Sequence, residues 1–217
     1  MIQTWMMPAV SLTLGYTLGT ISPSALIALC KRTDLRAKNT GNLGASNTLL
    51  TFGKGWGILV LLVDMGKGAL ASVLASLLFP LSSTAGLLAG GASVVGHVYP
   101  FYLKFKGGKG LAPFLGTILA YDPLVFGILL VLSAVLALLL NYTAYMPLCL
   151  GVLFPVAVLI RSATLPSALI ALIVGALIIL THRRNIAKAF RKSDSTVRQY
   201  LVRIFGRNQP RKQRKCK

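Results

Sequence analysis

The sequence predicts an all-α polytopic membrane protein with about seven transmembrane helices, and three observations carry that prediction. Of 217 residues, 55% are hydrophobic and the mean hydropathy is +0.72. Only 12% are charged, about half the share typical of a soluble domain. The apolar residues fall in uncharged runs at 1–30, 68–96, 123–160 and 162–181, long enough for helices that need roughly 20 residues to fill a hydrocarbon core.

The cations set the expected orientation. Of 23 Lys and Arg, 13 lie in 183–217 and eight in 31–54 or 104–109, leaving only Lys67 and Arg161 elsewhere. Basic loops stay on the cytoplasmic side, so these three segments are expected there. Residues 1–30 carry no charge and Lys31 and Arg32 follow directly. A cleaved signal peptide has the reverse order, so the first run is read as a helix with its N-terminus outside.

The elements follow in order. The first span is Trp5–Cys30. The second, 56–79, goes outward and turns at 80–83; the third, 84–103, returns to a Gly/Lys loop. Asp122-Pro123 and Arg161 mark external turns and 141–145 a cytoplasmic break, giving four more segments at 111–121, 124–140, 146–160 and 165–180. The total is seven, with a cytoplasmic C-terminus. Residues 111–121 are too few to cross a bilayer as a full helix, so a half-helix there, or five spans in all, is the alternative. The chain divides into a membrane domain, 1–182, and a basic cytoplasmic tail, 183–217.

The unusual residues lie in the cytoplasmic breaks. Lys104-Phe-Lys-Gly-Gly-Lys-Gly110 sets three cations and three glycines between apolar runs. Glycines let backbone amides approach an anion and lysines neutralise it, a composition suited to phosphate at a bilayer surface. The Walker spacing is absent, because Leu111 follows the last glycine. The first loop, 34–47, combines Arg36, Asn39, Thr40, Asn42, Ser46 and Asn47 with small residues. It reads equally as a loop whose Asn and Thr satisfy backbone groups or as a phosphate site built on the Arg36 fork. Asp64 and Lys67, three apart, share a helix face and are expected to pair structurally. His97 is read as structural. His182, flanked by cations at the membrane boundary, is a candidate base or phosphate ligand. Cys30, Cys149 and Cys216 have neither metal nor pairing spacing and are expected to be free thiols. The tail suits anionic lipid headgroups; nothing in it points to nucleic acid.

Together these segments resemble the bacterial acyl-phosphate:glycerol-3-phosphate acyltransferase family, known as PlsY. The first loop resembles its Asp-Ile/Leu-Arg-x-x-Gly-Ser-Gly-Asn-x-Gly-Ala-x-Asn motif at Asp34, Leu35, Arg36, Gly41, Asn42, Gly44, Ala45 and Asn47. Asp64, Lys67 and Gly68 match Asp-x-x-Lys-Gly. Gly96-His97 with 105–112 matches Gly-His…Phe-Lys-Gly-Gly-Lys-Gly-Val-Ala, and His182, Asn185 and Ile186 match His-x-x-Asn-Ile.

The resemblance implies a seven-helix enzyme of the bacterial plasma membrane, with its site facing the cytoplasm and no metal or organic cofactor. It would transfer a fatty acyl group from acyl-phosphate to the 1-hydroxyl of glycerol 3-phosphate. Thr40, Lys109, His182 and Asn185 are the implied catalytic residues. Arg36, Asn42, Asn47, Lys104, Gly107, Gly108 and Gly110 are the implied substrate-binding residues, with the glycine-loop amides facing a phosphate. The implied partners are the two substrates, membrane lipids and an enzyme that makes acyl-phosphate.

The chain departs from the family pattern at Asn39-Thr40 (Gly-Ser), Pro113 (Thr) and Asn141-Tyr142-Thr143-Ala144 (Arg-Tyr-x-Ser). The usual Gly and Glu after His-x-x-Asn-Ile are also missing. A catalytically weakened paralogue that binds phospholipid precursors is therefore the alternative function. An anion transporter is disfavoured, because the polar residues gather at one face instead of the midplane.

Overall fold

The computed structural model describes residues 2–162, 164–193 and 196–205. Cys216 and the last twelve residues of the basic tail lie outside the described residues. All regular structure described is helical: α1 (Ile2–Thr20), α2 (Pro23–Cys30), α3 (Ala45–Phe52), α4 (Lys54–Leu78), α5 (Ala85–Val98), α6 (Leu111–Tyr121), α7 (Pro123–Leu139), α8 (Tyr145–Ser162), α9 (Leu165–Phe190) and α10 (Val197–Phe205). Among the described residues, three segments are long and apolar enough to cross a membrane: Trp5–Cys30, Lys54–Leu78 and Leu165–Phe190.

Local sequence explains where the elements depart from expectation. The first apolar run is two helices, because Pro23 disfavours helical geometry at Ser22 and starts a new helix with Ser22 as its cap. The third helix stops at Val98 instead of reaching 103, since Pro100 ends it at Tyr99. The last long helix passes the expected limit at 180 and the division at 182/183. It continues to Phe190, where Ile186 and Ala189 pack on Ala144. A capping box starts α10: Gln199 N donates to Thr196 Oγ1 at 3.2 Å and Thr196 N to Gln199 Oε1 at 3.1 Å.

The helices pack through small residues. A Cβ on Gly15 or Gly19 of α1 would lie 2.0 or 2.2 Å from the Ala89 or Ser93 carbonyl oxygen of α5. The two backbones therefore touch, as in Gly-x-x-x-Gly membrane interfaces, where van der Waals contact replaces a hydrophobic driving force. Leu77, Leu132 and Ile173 instead point outward, as lipid-facing side chains do.

Polar ties sort the turns into two ends. At one, Arg161 Nε donates to Asp122 Oδ2 at 3.0 Å. Asp122 also caps α7, and the Val125 amide, with help from Arg161 and the Leu124 amide, holds its carboxyl below the usual carboxylate range. Ser167 Oγ donates to the Ser83 carbonyl at 3.3 Å, joining the start of α9 to the α4–α5 turn there. The first loop, the glycine loop, the α7–α8 turn and the far end of α9 gather at the other end.

Near that second end lies a buried ionic cluster. Lys67 Nζ sits 2.8 Å from Asp64 Oδ1, 2.8 Å from His97 Nδ1 and 2.7 Å from the Ile21 carbonyl. All three side chains are almost fully buried. The ammonium is thus hydrogen-bonded to the Ile21 carbonyl and to His97 and ion-paired with Asp64. The α1–α2 break frees the Ile21 carbonyl, and Tyr102 Oη takes the neighbouring Thr20 carbonyl at 2.6 Å. The broken helix thus leaves neither of these carbonyls unpaired where water is scarce.

Two stability predictions follow from this packing. Gly19→Leu forces α1 off α5 and costs about 1–3 kcal/mol, lowering the unfolding temperature in detergent, whereas Leu77→Ala on the outer surface leaves it unchanged. Asp64→Ala strands a buried ammonium and costs about 3–5 kcal/mol. In the same melt Asp64→Ala with Lys67→Met recovers most of that loss.

Candidate active site

The glycine loop is the hub on which the other segments converge. After Pro100 the chain makes one 3-10 turn, Phe101–Leu103, and then holds Lys104 and Phe105 at φ of 55° and 57°. Two successive left-handed residues without glycine are uncommon, and they reverse the chain back onto the end of α5. Gly107 N then donates to the Val98 carbonyl at 2.9 Å and Gly108 N to the His97 carbonyl at 3.0 Å.

These two amides are therefore engaged by the backbone, which differs from the expectation that they face a phosphate. The glycines serve close approach instead. A Cβ on Gly108 would lie 1.9 Å from His97 Nε2 and 2.5 Å from the Leu43 carbonyl oxygen. Gly110, at φ 86°, is the cap from which α6 departs. The Asp64–Lys67–His97 cluster thus lies directly beneath the loop, with His97 Nδ1 2.8 Å from Lys67 Nζ and 3.3 Å from Asp64 Oδ1.

Lys109 joins the loop to α9. Its Nζ donates to Asn185 Oδ1 at 2.9 Å, and its carbonyl accepts from Thr181 Oγ1 at 2.8 Å. His182 is buried, with Nδ1 2.9 Å from the Ile178 carbonyl of its own helix. A carbonyl only accepts, so Nδ1 carries the proton and Nε2 keeps its lone pair. His182 and Asn185, three apart, share one face of α9.

The first loop closes over the other side. Asp34 caps a 3-10 turn, Leu35–Ala37, by accepting from Arg36 N at 2.8 Å. Arg36 Nη2 donates to the Lys106 carbonyl at 2.5 Å, fastening this loop to the glycine loop. Asn47 is buried, and its Nδ2 donates to the Leu35 and Asn42 carbonyls at 2.7 and 2.8 Å. Its amide nitrogen therefore holds the loop in shape, while its buried Oδ1 has no hydrogen-bond partner among the described residues. Thr40 stands exposed between Asn39 and Gly41, both at positive φ, and Asn39 Nδ2 donates to Thr51 Oγ1 at 2.9 Å. Lys104 is likewise exposed.

Arg36, Lys109, Asn185 and the glycine loop are thus linked by hydrogen bonds, with His182 directly after the Thr181 that contacts Lys109. Thr40, Asn42 and Lys104 border this group without a side-chain hydrogen bond into it among the described residues. Sequence reasoning passed over Thr181, whose only signal was its place beside His182, and the Lys106 carbonyl, which no side-chain pattern could reveal.

The departures from the family motif are accommodated structurally. Pro113 lies in the first turn of α6, where a missing N–H costs no helical bond. Ala144 is buried against Ile186 and Ala189, in an apolar contact where a hydroxyl would need a partner.

Charge at this end is one-sided. The chain has four acidic residues: Asp34, Asp64, Asp122 and Asp194. Asp64 pairs beneath the loop, Asp122 pairs at the opposite end, and Asp34 is occupied as a cap. Arg36, Lys104, Lys106 and Lys109 therefore make a surface suited to phosphate oxygens, beside one histidine lone pair.

The chain is similar to known proteins over most of its length. The chain is 37% identical over 190 residues to a glycerol-3-phosphate acyltransferase of Rhodospirillum rubrum, covering 84% of this chain and 88% of that one. It is 34% identical over 198 residues to that of Bacillus velezensis, covering 90% and 100%. The crystal structure of PlsY (YgiH), an integral membrane glycerol 3-phosphate acyltransferase, in its glycerol 3-phosphate form superposes with a TM-score of 0.80 at 30% identity, covering 87% of this chain and 94% of that one. Its lysophosphatidic acid form gives 0.79 at 29% identity, covering 90% and 98%. With residues 9–192 matching the glycerol-3-phosphate acyltransferase family model, the chain belongs to that family.

Proposed function

We infer that this chain is a membrane acyltransferase of phospholipid synthesis. It moves a fatty acyl group from acyl-phosphate to the 1-hydroxyl of glycerol 3-phosphate. The carrying observation is the meeting of the motif segments at the glycine loop: Arg36 on Lys106, Leu43 on Gly108, Lys67 on the His97 that lies against Gly108, and Asn185 on Lys109.

The reaction balances without a covalent intermediate. The glycerol 3-phosphate hydroxyl oxygen attacks the acyl carbonyl carbon and forms the ester bond. The bond from that carbon to the phosphate oxygen breaks, and phosphate leaves with the electron pair. His182 Nε2 takes the hydroxyl proton, Lys109 and Arg36 bind phosphate oxygens, and Asn185 steers the Lys109 ammonium. Thr40 supplies a hydroxyl at the loop rim. Acyl-phosphate is already an activated mixed anhydride, so positioning and charge stabilisation supply most of the acceleration. Phe101 and Phe105, exposed beside the loop, suit a chain still lying in lipid.

The reading includes seven crossings in a bacterial plasma membrane, with the N-terminus outside and the site in the cytoplasm. The charge distribution supports it: the glycine-loop end holds the cationic segments 31–54 and 104–109 and the described cations of 183–193, whereas Arg161 at the opposite end is paired with Asp122. At 11 residues α6 is only about 16 Å long. It packs against α4, α5 and α7, so much of its surface meets protein instead of lipid.

Phosphate release from acyl-phosphate by purified protein, with and without glycerol 3-phosphate, tests this reading. Lys109→Ala and His182→Ala each reduce turnover by roughly 10²–10³-fold, Thr40→Ser retains activity and Thr40→Val loses it. Absent turnover in a folded wild-type protein that still binds glycerol 3-phosphate would instead identify a binding paralogue.

A further inference from the structure

The family match ends at residue 192, and α10 with the sequence around it lies beyond. We propose that this segment is a docking surface for anionic bilayer lipids, lying along the membrane beside the glycine-loop end, and that it acts independently of catalysis. Three observations lead there.

The first is its pattern. At the helical period, Val197, Tyr200, Leu201, Ile204 and Phe205 fall on one continuous arc, with Arg198 at one edge and Arg203 and Gln199 across from it. An apolar stripe flanked by arginines is the arrangement of helices that lie in the interface plane. On that arc Leu201 is 45% exposed, so contact with the rest of the chain leaves it open.

The second is position. Val197 N donates to the Asn141 carbonyl at 3.0 Å and the helix touches α3. It is therefore held at the end where α9 leaves the apolar region, level with the α7–α8 turn. A bilayer surface is continuous with that place; a soluble partner would have to be recruited to it.

The third is charge. Residues 193–217 carry eight Lys and Arg against Asp194 alone. Asp64 and Asp122 are paired elsewhere and Asp34 is a cap. The chain thus lacks the carboxylates to neutralise its own tail, and the counter-charge must come from outside. Juxtamembrane clusters of four to eight cations attract anionic headgroups in an additive, salt-sensitive way.

Hydrogen exchange of residues 197–205 tests this in the full chain, reconstituted in nanodiscs of phosphatidylcholine with or without phosphatidylglycerol. The amides are expected to exchange roughly tenfold more slowly in the anionic discs, with the difference lost in high salt and in R198E/R203E. Phosphate release by that double variant in neutral detergent should match wild type, which shows that the fold is intact. Equal exchange in both discs overturns the proposal. So does slowing in neutral discs on addition of single-stranded RNA, which would assign the surface to nucleic acid.

Discussion

The site rests on one buried ammonium. Lys67 is held by the Ile21 carbonyl in the α1–α2 break, by Asp64 on its own helix α4 and by His97 on α5. Removing a charge from water costs several kcal/mol, as an order of magnitude, unless such partners are in place. Displacing the α1–α2 break or α5 therefore strips the buried ammonium of a partner, and the cluster fixes their positions against α4 more sharply than apolar contact alone. His97 transmits that constraint: one ring nitrogen meets Lys67 and the other lies against Gly108.

Rigidity at Gly108 explains why glycines are needed where the sequence suggested an amide cradle. The loop is clamped from below by His97, from one side by Leu43 and Arg36, and from the other by Thr181 and Asn185. The Lys109 ammonium is thereby held by Asn185 before any phosphate arrives. Preorganised charge of this kind needs little rearrangement during reaction. The Gly107 and Gly108 amides are committed to α5, which is why the proposed binding groups are side-chain cations.

Much of this was legible in the sequence because its signals are local. Apolar runs gave the helices, cation placement gave the two kinds of turn, and the Asp64–Lys67 spacing gave the ion pair. Long-range and backbone features were not legible. No pattern reveals that Ser22-Pro23 opens a carbonyl to Lys67, that His97 completes the cluster, or that Arg36 reaches the Lys106 carbonyl 70 residues away. The end of α9 was misjudged because Arg183 and Arg184 resemble a tail, yet Ile186 and Ala189 continue the buried face and carry Asn185 to Lys109. Thr181 was hidden for the same reason.

The central claim is direct acyl transfer between two phosphorylated substrates held by one clamped loop. It is tested most directly with acyl-phosphate carrying a heavy-oxygen label in the bridging position between carbonyl and phosphorus. Attack at the acyl carbon predicts that every label leaves in inorganic phosphate, with one 1-acylglycerol 3-phosphate formed per phosphate released and none without glycerol 3-phosphate. Label retained in free fatty acid, or phosphate released at the same rate without the acceptor, would contradict the account.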